Sequence, residues 1–146
     1  MEQRERPDNQ ESAILRDQNN EKLRKTSRLH VLLVEDRPST AKAMQRLLEE
    51  NGFDVRAASD YRDALSIATT WLPDVLIADI DMPGKDGIEL MKTMRQAYPD
   101  LKGIVVSGDT SDTATQRCHD AGFIECLTKP VKIDQVLEAI RRMFTG

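Results

Sequence analysis

Reactive side chains stand directly after four short apolar runs of the sequence. In chain order they are Glu35 with Asp36, then Asp79, then Ser107, then Lys129. If the fold brings them together, the carboxylates repel one another and need a cation or a raised pKa. A site made only of oxygen ligands suits Mg²⁺. A carboxylate nucleophile beside a cation, an ammonium group and a hydroxyl can support phosphoryl transfer onto an aspartate.

The apolar runs themselves predict the strands that would position these groups. Each is about 4–6 residues long and rich in β-branched residues, as buried strands are. The predicted strands are Leu29–Val34, Phe53–Ala57, Val75–Ala78, Gly103–Val106 and Ile124–Leu127. Because the runs are apolar on both faces, they favour a parallel sheet with helices on both sides.

A helical pattern follows each predicted strand. The apolar stripes run through 41–48, 61–68, 88–94, 114–121 and 133–144. Five strand–helix units predict an α/β fold: a (βα)₅, doubly wound, open parallel sheet of five strands. The expected strand order is 2-1-3-4-5, the flavodoxin-like arrangement, in which ligands bind beyond the carboxyl ends of the strands.

The chain divides into two parts by composition. Residues 1–28 carry six acids and seven bases with few apolar side chains, so they predict a charged N-terminal extension or linker, disordered or partly helical. Residues 29–146 contain all five strand–helix units and predict one domain of ordinary size.

Charge and hydropathy exclude several classes of protein. No run approaches the roughly 20 apolar residues of a membrane span, so no membrane insertion is expected. The polar N-terminus is unlike a signal peptide, and the expected location is the cytoplasm. A net charge of −4 disfavours nonspecific nucleic-acid binding. Cys118 and Cys126 lack a disulfide or metal-ligand spacing and predict reduced, partly buried thiols.

Four segments carry a resemblance to a known family. They are Val31–Asp36, Asp74–Gly87, Ile104–Gly108 and Leu127–Pro130. In order and spacing these segments resemble the signature segments of two-component response-regulator receivers. The resemblance extends from Leu29 to Phe144.

The resemblance implies a role for each acid. Asp79 is implied as the phosphoacceptor, on which an acyl phosphate forms. Asp36, Asp79 and the backbone carbonyl of Asp81 are implied as Mg²⁺ ligands, and Glu35 as the holder of a metal-bound water.

The other site residues and the partners follow from the same resemblance. Ser107 is implied to bond the phosphoryl group, Lys129 to pair with it or with Asp79, and the Lys129–Pro130 peptide bond to be cis. A histidine kinase or histidine phosphotransfer protein is the implied donor. In this family the receiver itself catalyses the transfer and the later hydrolysis, and changes shape to control a downstream protein target.

Two features depart from the family pattern. Cys126 stands three residues before Lys129, where the family usually has Tyr or Phe as a rotameric switch, and a thiol has no ring to swing. Asp81 and Asp109 stand two residues after Asp79 and Ser107. The resemblance implies that side chains at these positions flank the path of attacking water. We hypothesise that these acids alter the lifetime of the acyl phosphate, without a predicted sign.

Two other functions compete with the phosphorylated receiver. One is a degenerate receiver that binds partners unmodified. The other is an aspartate-nucleophile phosphatase of the haloacid-dehalogenase type, whose D-x-D motif Asp79–Ile80–Asp81 resembles; however, that family carries the motif on its first strand.

The sequence is compatible with two kinds of protein around this domain. The expectation is a stand-alone regulator or the receiver of a hybrid kinase. Because only Thr145 and Gly146 follow Phe144, no DNA-binding helix-turn-helix and no direct DNA binding are expected. A dimer is possible through the face of the fourth helix, fifth strand and fifth helix, or through the N-terminal extension.

Overall fold

Five strands form at the predicted apolar runs in a computed structural model that describes residues 28–81, 87–109 and 111–145. They are β1 His30–Val34, β2 Asp54–Ala58, β3 Val75–Asp79, β4 Lys102–Ser107 and β5 Phe123–Thr128. All neighbouring strands pair in parallel, in the order β2-β1-β3-β4-β5. The predicted flavodoxin-like sheet is confirmed.

The helices begin and end at residues suited to those positions. They are α1 Pro38–Glu50, α2 Tyr61–Ala68, α3 Gly87–Ala97, α4 Asp112–Ala121 and α5 Ile133–Thr145. Pro38 opens α1, where a missing N–H costs nothing. The side chains of Asp60 and Ser111 accept hydrogen bonds from backbone N–H groups of α2 and α4. Gly52 ends α1 with a φ of +96°, a conformation that favours glycine.

The core has two halves because residues on a strand alternate between faces. On β1, Leu32 and Val34 pack in the half formed with α2, α3 and α4. Val31 and Leu33 pack in the other half, formed with α1 and α5. All five residues of β3 are buried, as expected for a central parallel strand covered on both sides.

The carboxyl ends of the strands lie at one edge of the sheet. The register places Val34 beside Ala78, Asp79 beside Val106 and Ser107 beside Thr128. The residues that end the strands or directly follow them therefore share this edge, which we call the rim. Asp79 and Ser107, the last residues of β3 and β4, are both buried.

Three further predictions concern the rest of the chain. The charged extension predicted for residues 1–28 lies outside the described residues, apart from Arg28. Within the described ranges, no helix is both long enough and apolar enough to cross a bilayer. Neither Cys118 nor Cys126 forms a disulfide; the first is buried on α4 and the second is exposed on β5.

Candidate functional site

Three carboxylates meet at the rim. One oxygen each from Glu35, Asp36 and Asp79 lies within 4.8 Å of the others. The main chain fixes Glu35, because its N–H donates to the carbonyl of Ala58 at 3.0 Å. Its carboxylate also accepts a hydrogen bond from the N–H of Arg37 at 3.0 Å, at the entry to α1. The structure thus brings together the three acids that the sequence predicts.

The surroundings of Glu35 disfavour its ionised form. Burial raises the pKa of this carboxyl above its ordinary value of 4.5, and the nearby charges of Asp79 and Asp36 raise it further. The hydrogen bond from the Arg37 N–H acts in the opposite direction and does not offset these effects. Crowded acids of this kind are stabilised by a cation.

Replacing Glu35 with glutamine is expected to stabilise the metal-free protein at neutral pH. A carboxyl whose pKa rises on folding holds its proton more tightly in the folded chain. Its ionisation therefore costs stability as the pH rises from 4.5 through the folded pKa. We expect Glu35→Gln to unfold at a higher urea concentration than wild type at pH 7, and at the same concentration as wild type below pH 4.5.

Urea unfolding in EDTA at several pH values measures this gain. Glu50→Gln, at the far end of α1, is the matched control, since it removes one exposed carboxyl away from the rim. Saturating Mg²⁺ should remove the advantage of Glu35→Gln, because the cation stabilises the protein that binds it more tightly. Equal stability of wild type and Glu35→Gln at every pH contradicts the expectation.

The donor set fits Mg²⁺. All three clustered side chains offer carboxylate oxygens, and neither cysteine nor histidine belongs to the cluster. Mg²⁺ prefers such hard oxygen ligands and keeps several of its waters, which the exposed side of Asp36 permits. The acids are thus suited to hold this ion.

Lys129 places a positive charge beside Asp79. It follows β5, where its N–H donates to the carbonyl of Ser107 at 2.9 Å. The Lys129–Pro130 peptide bond is cis, as the resemblance implies. The ammonium Nζ lies 2.8 Å from Oδ1 of Asp79. Burial alone lowers the pKa of Lys129, but the hydrogen bonds to Asp79 and Asp81 and their charges outweigh burial and raise it.

Ser107 lies at the rim with its hydroxyl engaged by the loop after β4. Its Oγ accepts a hydrogen bond from the N–H of Asp109 at 2.9 Å. The carboxylate of Asp109 in turn accepts from the N–H of Ser111 at 2.9 Å, and hydrogen bonds from Ser111 lower the pKa of Asp109. The hydroxyl itself donates to the carbonyl of Asp109 at 3.3 Å, and it must give up this bond to donate to a group on Asp79.

The contacts of the Asp81 side chain are the part of the site that sequence reasoning missed. Its Oδ2 lies 3.1 Å from Nζ of Lys129 and accepts a hydrogen bond from the N–H of Gly108 at 3.2 Å. Its own N–H donates to Oδ1 of Asp79 at 2.9 Å. The spacing of two residues from Asp79 placed Asp81 at the rim, but gave no sign of its partners.

Cys126 occupies the position where an aromatic switch was expected. The residue is exposed on β5. Burial of its sulfur raises the pKa of the thiol, the Glu125 charge adds to this, and a hydrogen bond with Cys118 acts against it. A thiol with a raised pKa is a poor nucleophile at neutral pH.

Comparison with known proteins identifies the family. A model described as the response regulator receiver domain matches residues 31–141. The transcriptional activator protein ExaE of Pseudomonas putida is 35% identical over 118 residues, which cover 80% of this chain and 55% of that protein. The sensor histidine kinase RcsC of Escherichia coli is 30% identical over 110 residues, covering 75% of this chain and 12% of that protein.

The same family appears among solved structures. The Vibrio cholerae chemotaxis protein CheY4 matches with a TM-score of 0.77 at 28% identity, covering 81% of this chain and 100% of that one. The chain spans about half, or less, of the length of the curated relatives it matches. The family match, which runs from β1 into α5, favours the receiver over the phosphatase alternative. This chain belongs to the receiver domain family of two-component response regulators, the phosphorylatable modules of two-component signalling.

Proposed function

We propose that this receiver accepts a phosphoryl group on Asp79 from a phosphohistidine. The donor is a histidine kinase or a histidine phosphotransfer protein. The observation that carries the proposal is that Asp79 both clusters with the acids Glu35 and Asp36 and lies 2.8 Å from the Lys129 ammonium. An oxygen of Asp79 attacks phosphorus, the new O–P bond forms, and the P–N bond to the donor imidazole breaks.

Mg²⁺ is the proposed cofactor. The proposed ligands are the carboxylates of Asp36 and Asp79 and the backbone carbonyl of Asp81, with Glu35 holding a metal-bound water. When bound, the ion offsets the negative charge of the acids and of the phosphoryl group. The raised pKa of Glu35 supports this assignment, because it reports an excess of negative charge together with burial.

Ser107 and Lys129 are the proposed responding groups. Lys129 neutralises charge on the phosphoryl oxygens, and the Ser107 hydroxyl exchanges the Asp109 backbone for one of them. Both movements alter the loop between β4 and α4. This helix buries only Cys118 and Ala121 among its described residues, so it shifts at low cost. The shift of α4 would carry the signal to a downstream protein.

The surroundings proposed for the receiver follow the sequence analysis. Residues 29–146 form the receiver and residues 1–28 a linker or extension, within a stand-alone regulator or a hybrid kinase. The receiver acts in the cytoplasm on a protein target. The face made of α4, β5 and α5, or the extension, is the proposed dimer contact.

A receiver that binds partners without phosphorylation is the second candidate. Cys126 favours it, because the exposed thiol on β5 replaces the aromatic ring through which such receivers usually report their state. The rim argues against it, because Lys129 and the three acids form a complete set for acyl-phosphate chemistry.

Phosphorylation with a small-molecule donor tests the proposal. The protein is incubated with phosphoramidate or acetyl phosphate, with Mg²⁺ or with EDTA, and its intact mass is measured. We expect a Mg²⁺-dependent gain of one phosphoryl group that hydroxylamine removes, since hydroxylamine cleaves acyl phosphates and leaves phosphoserine intact. No gain under any condition would favour the unphosphorylated module.

A further inference from the structure

The Asp81 carboxylate is already held as a bound anion at the rim. A single oxygen, Oδ2, lies 3.1 Å from the Lys129 ammonium and 3.2 Å from the Gly108 nitrogen, whose N–H donates to it. These two donors come from the ends of β5 and β4 and converge from different strands. An ammonium and a backbone N–H that meet on one oxygen form a small anion site.

The Lys129 ammonium also forms an ion pair with Asp79. Nζ of Lys129 is 2.8 Å from Oδ1 of Asp79 and 3.1 Å from Oδ2 of Asp81, so both carboxylates share one cation. The N–H of Asp81 donates to that same Oδ1 at 2.9 Å, which fixes the two acids side by side. A phosphoryl group bonded to Asp79 therefore brings its oxygens to the place where the Asp81 carboxylate lies.

We propose that Asp81 is an internal competitor of the phosphoryl group. Before transfer, its carboxylate occupies the donors of Lys129 and Gly108, and it must release them when a phosphoryl group arrives on Asp79. The inference rests on the proposed function and adds a regulatory residue to it. Asp81 is a positioning residue here, because it acts through Lys129 and Gly108 and forms no bond to phosphorus.

The contacts of the Asp81 carboxylate with Lys129 and Gly108 are weak enough for a phosphoryl group to displace it. They are strong enough for their loss to change the rate of phosphorylation measurably. The Asp81 side chain is 47% exposed, so water receives it readily when it leaves Lys129. Because the group is exposed, two charge-assisted contacts only modestly favour the state in which the Asp81 carboxylate occupies the donors of Lys129 and Gly108. The geometry thereby predicts that the Asp81 carboxylate slows phosphorylation of Asp79.

Asp81→Asn tests the competition because asparagine keeps the size and loses the charge. We expect phosphorylation by phosphoramidate at saturating Mg²⁺ to accelerate by about 3- to 10-fold. The matched control is Asp112→Asn, which removes one exposed acid in the first turn of α4 and should leave the rate within about 2-fold of wild type.

A second readout needs neither Mg²⁺ nor phosphorylation. In the metal-free protein, nuclear magnetic resonance follows the Gly108 amide and the Lys129 side chain. Both resonances should shift in Asp81→Asn and stay in place in Asp112→Asn. These shifts report the two contacts directly, whereas loss of folding would disturb resonances throughout the sheet.

The outcomes separate the two proposals. Failure of the proposed function appears as the absence of phosphorylation in wild type and both variants. The competition alone is overturned if Asp81→Asn is phosphorylated no faster than wild type, or if Asp112→Asn accelerates the reaction equally. Unmoved Gly108 and Lys129 resonances in Asp81→Asn also overturn it.

Discussion

Asp79→Asn is expected to form no acyl phosphate. The amide nitrogen and oxygen of asparagine are poor nucleophiles, so the rate of transfer should fall by at least about 100-fold, below detection by intact mass. Asp79 ends the central strand β3 and is only 6% exposed. Because asparagine has the same shape, the fold should persist and the effect should be confined to the chemistry.

The measurement compares Asp79→Asn with wild type in phosphoramidate and Mg²⁺, by intact mass with time. Asp112→Asn is the matched control, since it removes one exposed carboxylate from the first turn of α4 and should retain the phosphoryl gain. Circular dichroism checks that both variants are folded. A hydroxylamine-sensitive gain of the same size in Asp79→Asn would show that another residue is the acceptor.

Lys129→Gln is expected to slow phosphorylation of Asp79 by about 10- to 100-fold. A fixed positive charge aimed at developing negative charge is a large electrostatic contribution to a transition state. Nζ is already held 2.8 Å from Oδ1 of Asp79, so little rearrangement is needed to reach a phosphoryl oxygen. Glutamine keeps much of the length of the side chain and can donate a hydrogen bond, but it carries no charge.

The same substitution should raise the affinity of the rim for Mg²⁺ by several-fold. In wild type the ammonium neutralises Asp79 and Asp81, and its removal leaves their negative charge to the cation. Isothermal titration calorimetry measures this affinity. A slower reaction together with tighter Mg²⁺ binding identifies an electrostatic role for Lys129. A distorted site would instead react more slowly and also bind Mg²⁺ more weakly.

Lys132→Gln is the control for both measurements. Lys132 is an exposed lysine three residues further along the same loop, and its substitution removes the same charge from the surface. It should change neither the rate of phosphorylation nor the affinity for Mg²⁺ by more than about 2-fold. If Lys132→Gln weakens phosphorylation as much as Lys129→Gln, the net charge of the protein controls the reaction, and the position of Lys129 does not.

The sequence by itself determined the sheet and the places of the site residues along it. Apolar runs such as Val75–Ala78 are dictated by burial on both faces, and that requirement is visible in residue type alone. Parallel strands share one carboxyl-end edge, so Asp79 and Lys129 could be assigned to the same rim before any distance was known. The carboxyl ends of β3 and β4 lie one residue beyond the predicted apolar runs, because Asp79 and Ser107 are the last residues of these strands.

Only the tertiary structure decided which of these groups touch. Asp81 and Gly108 are 27 residues apart in the chain, and their hydrogen bond depends on the register of β3 and β4 and on the path of two loops. His30 stacks on Trp71 with ring centroids 4.3 Å apart at the opposite edge of the sheet, another pairing without a pattern in the sequence. Side-chain contacts between loops carry no periodicity, because they are fixed by packing of the whole domain. For this reason the sequence predicted an effect of Asp81 on the lifetime of the acyl phosphate without a sign, whereas its contact with the shared ammonium of Lys129 points to a separate effect, on the rate of phosphorylation.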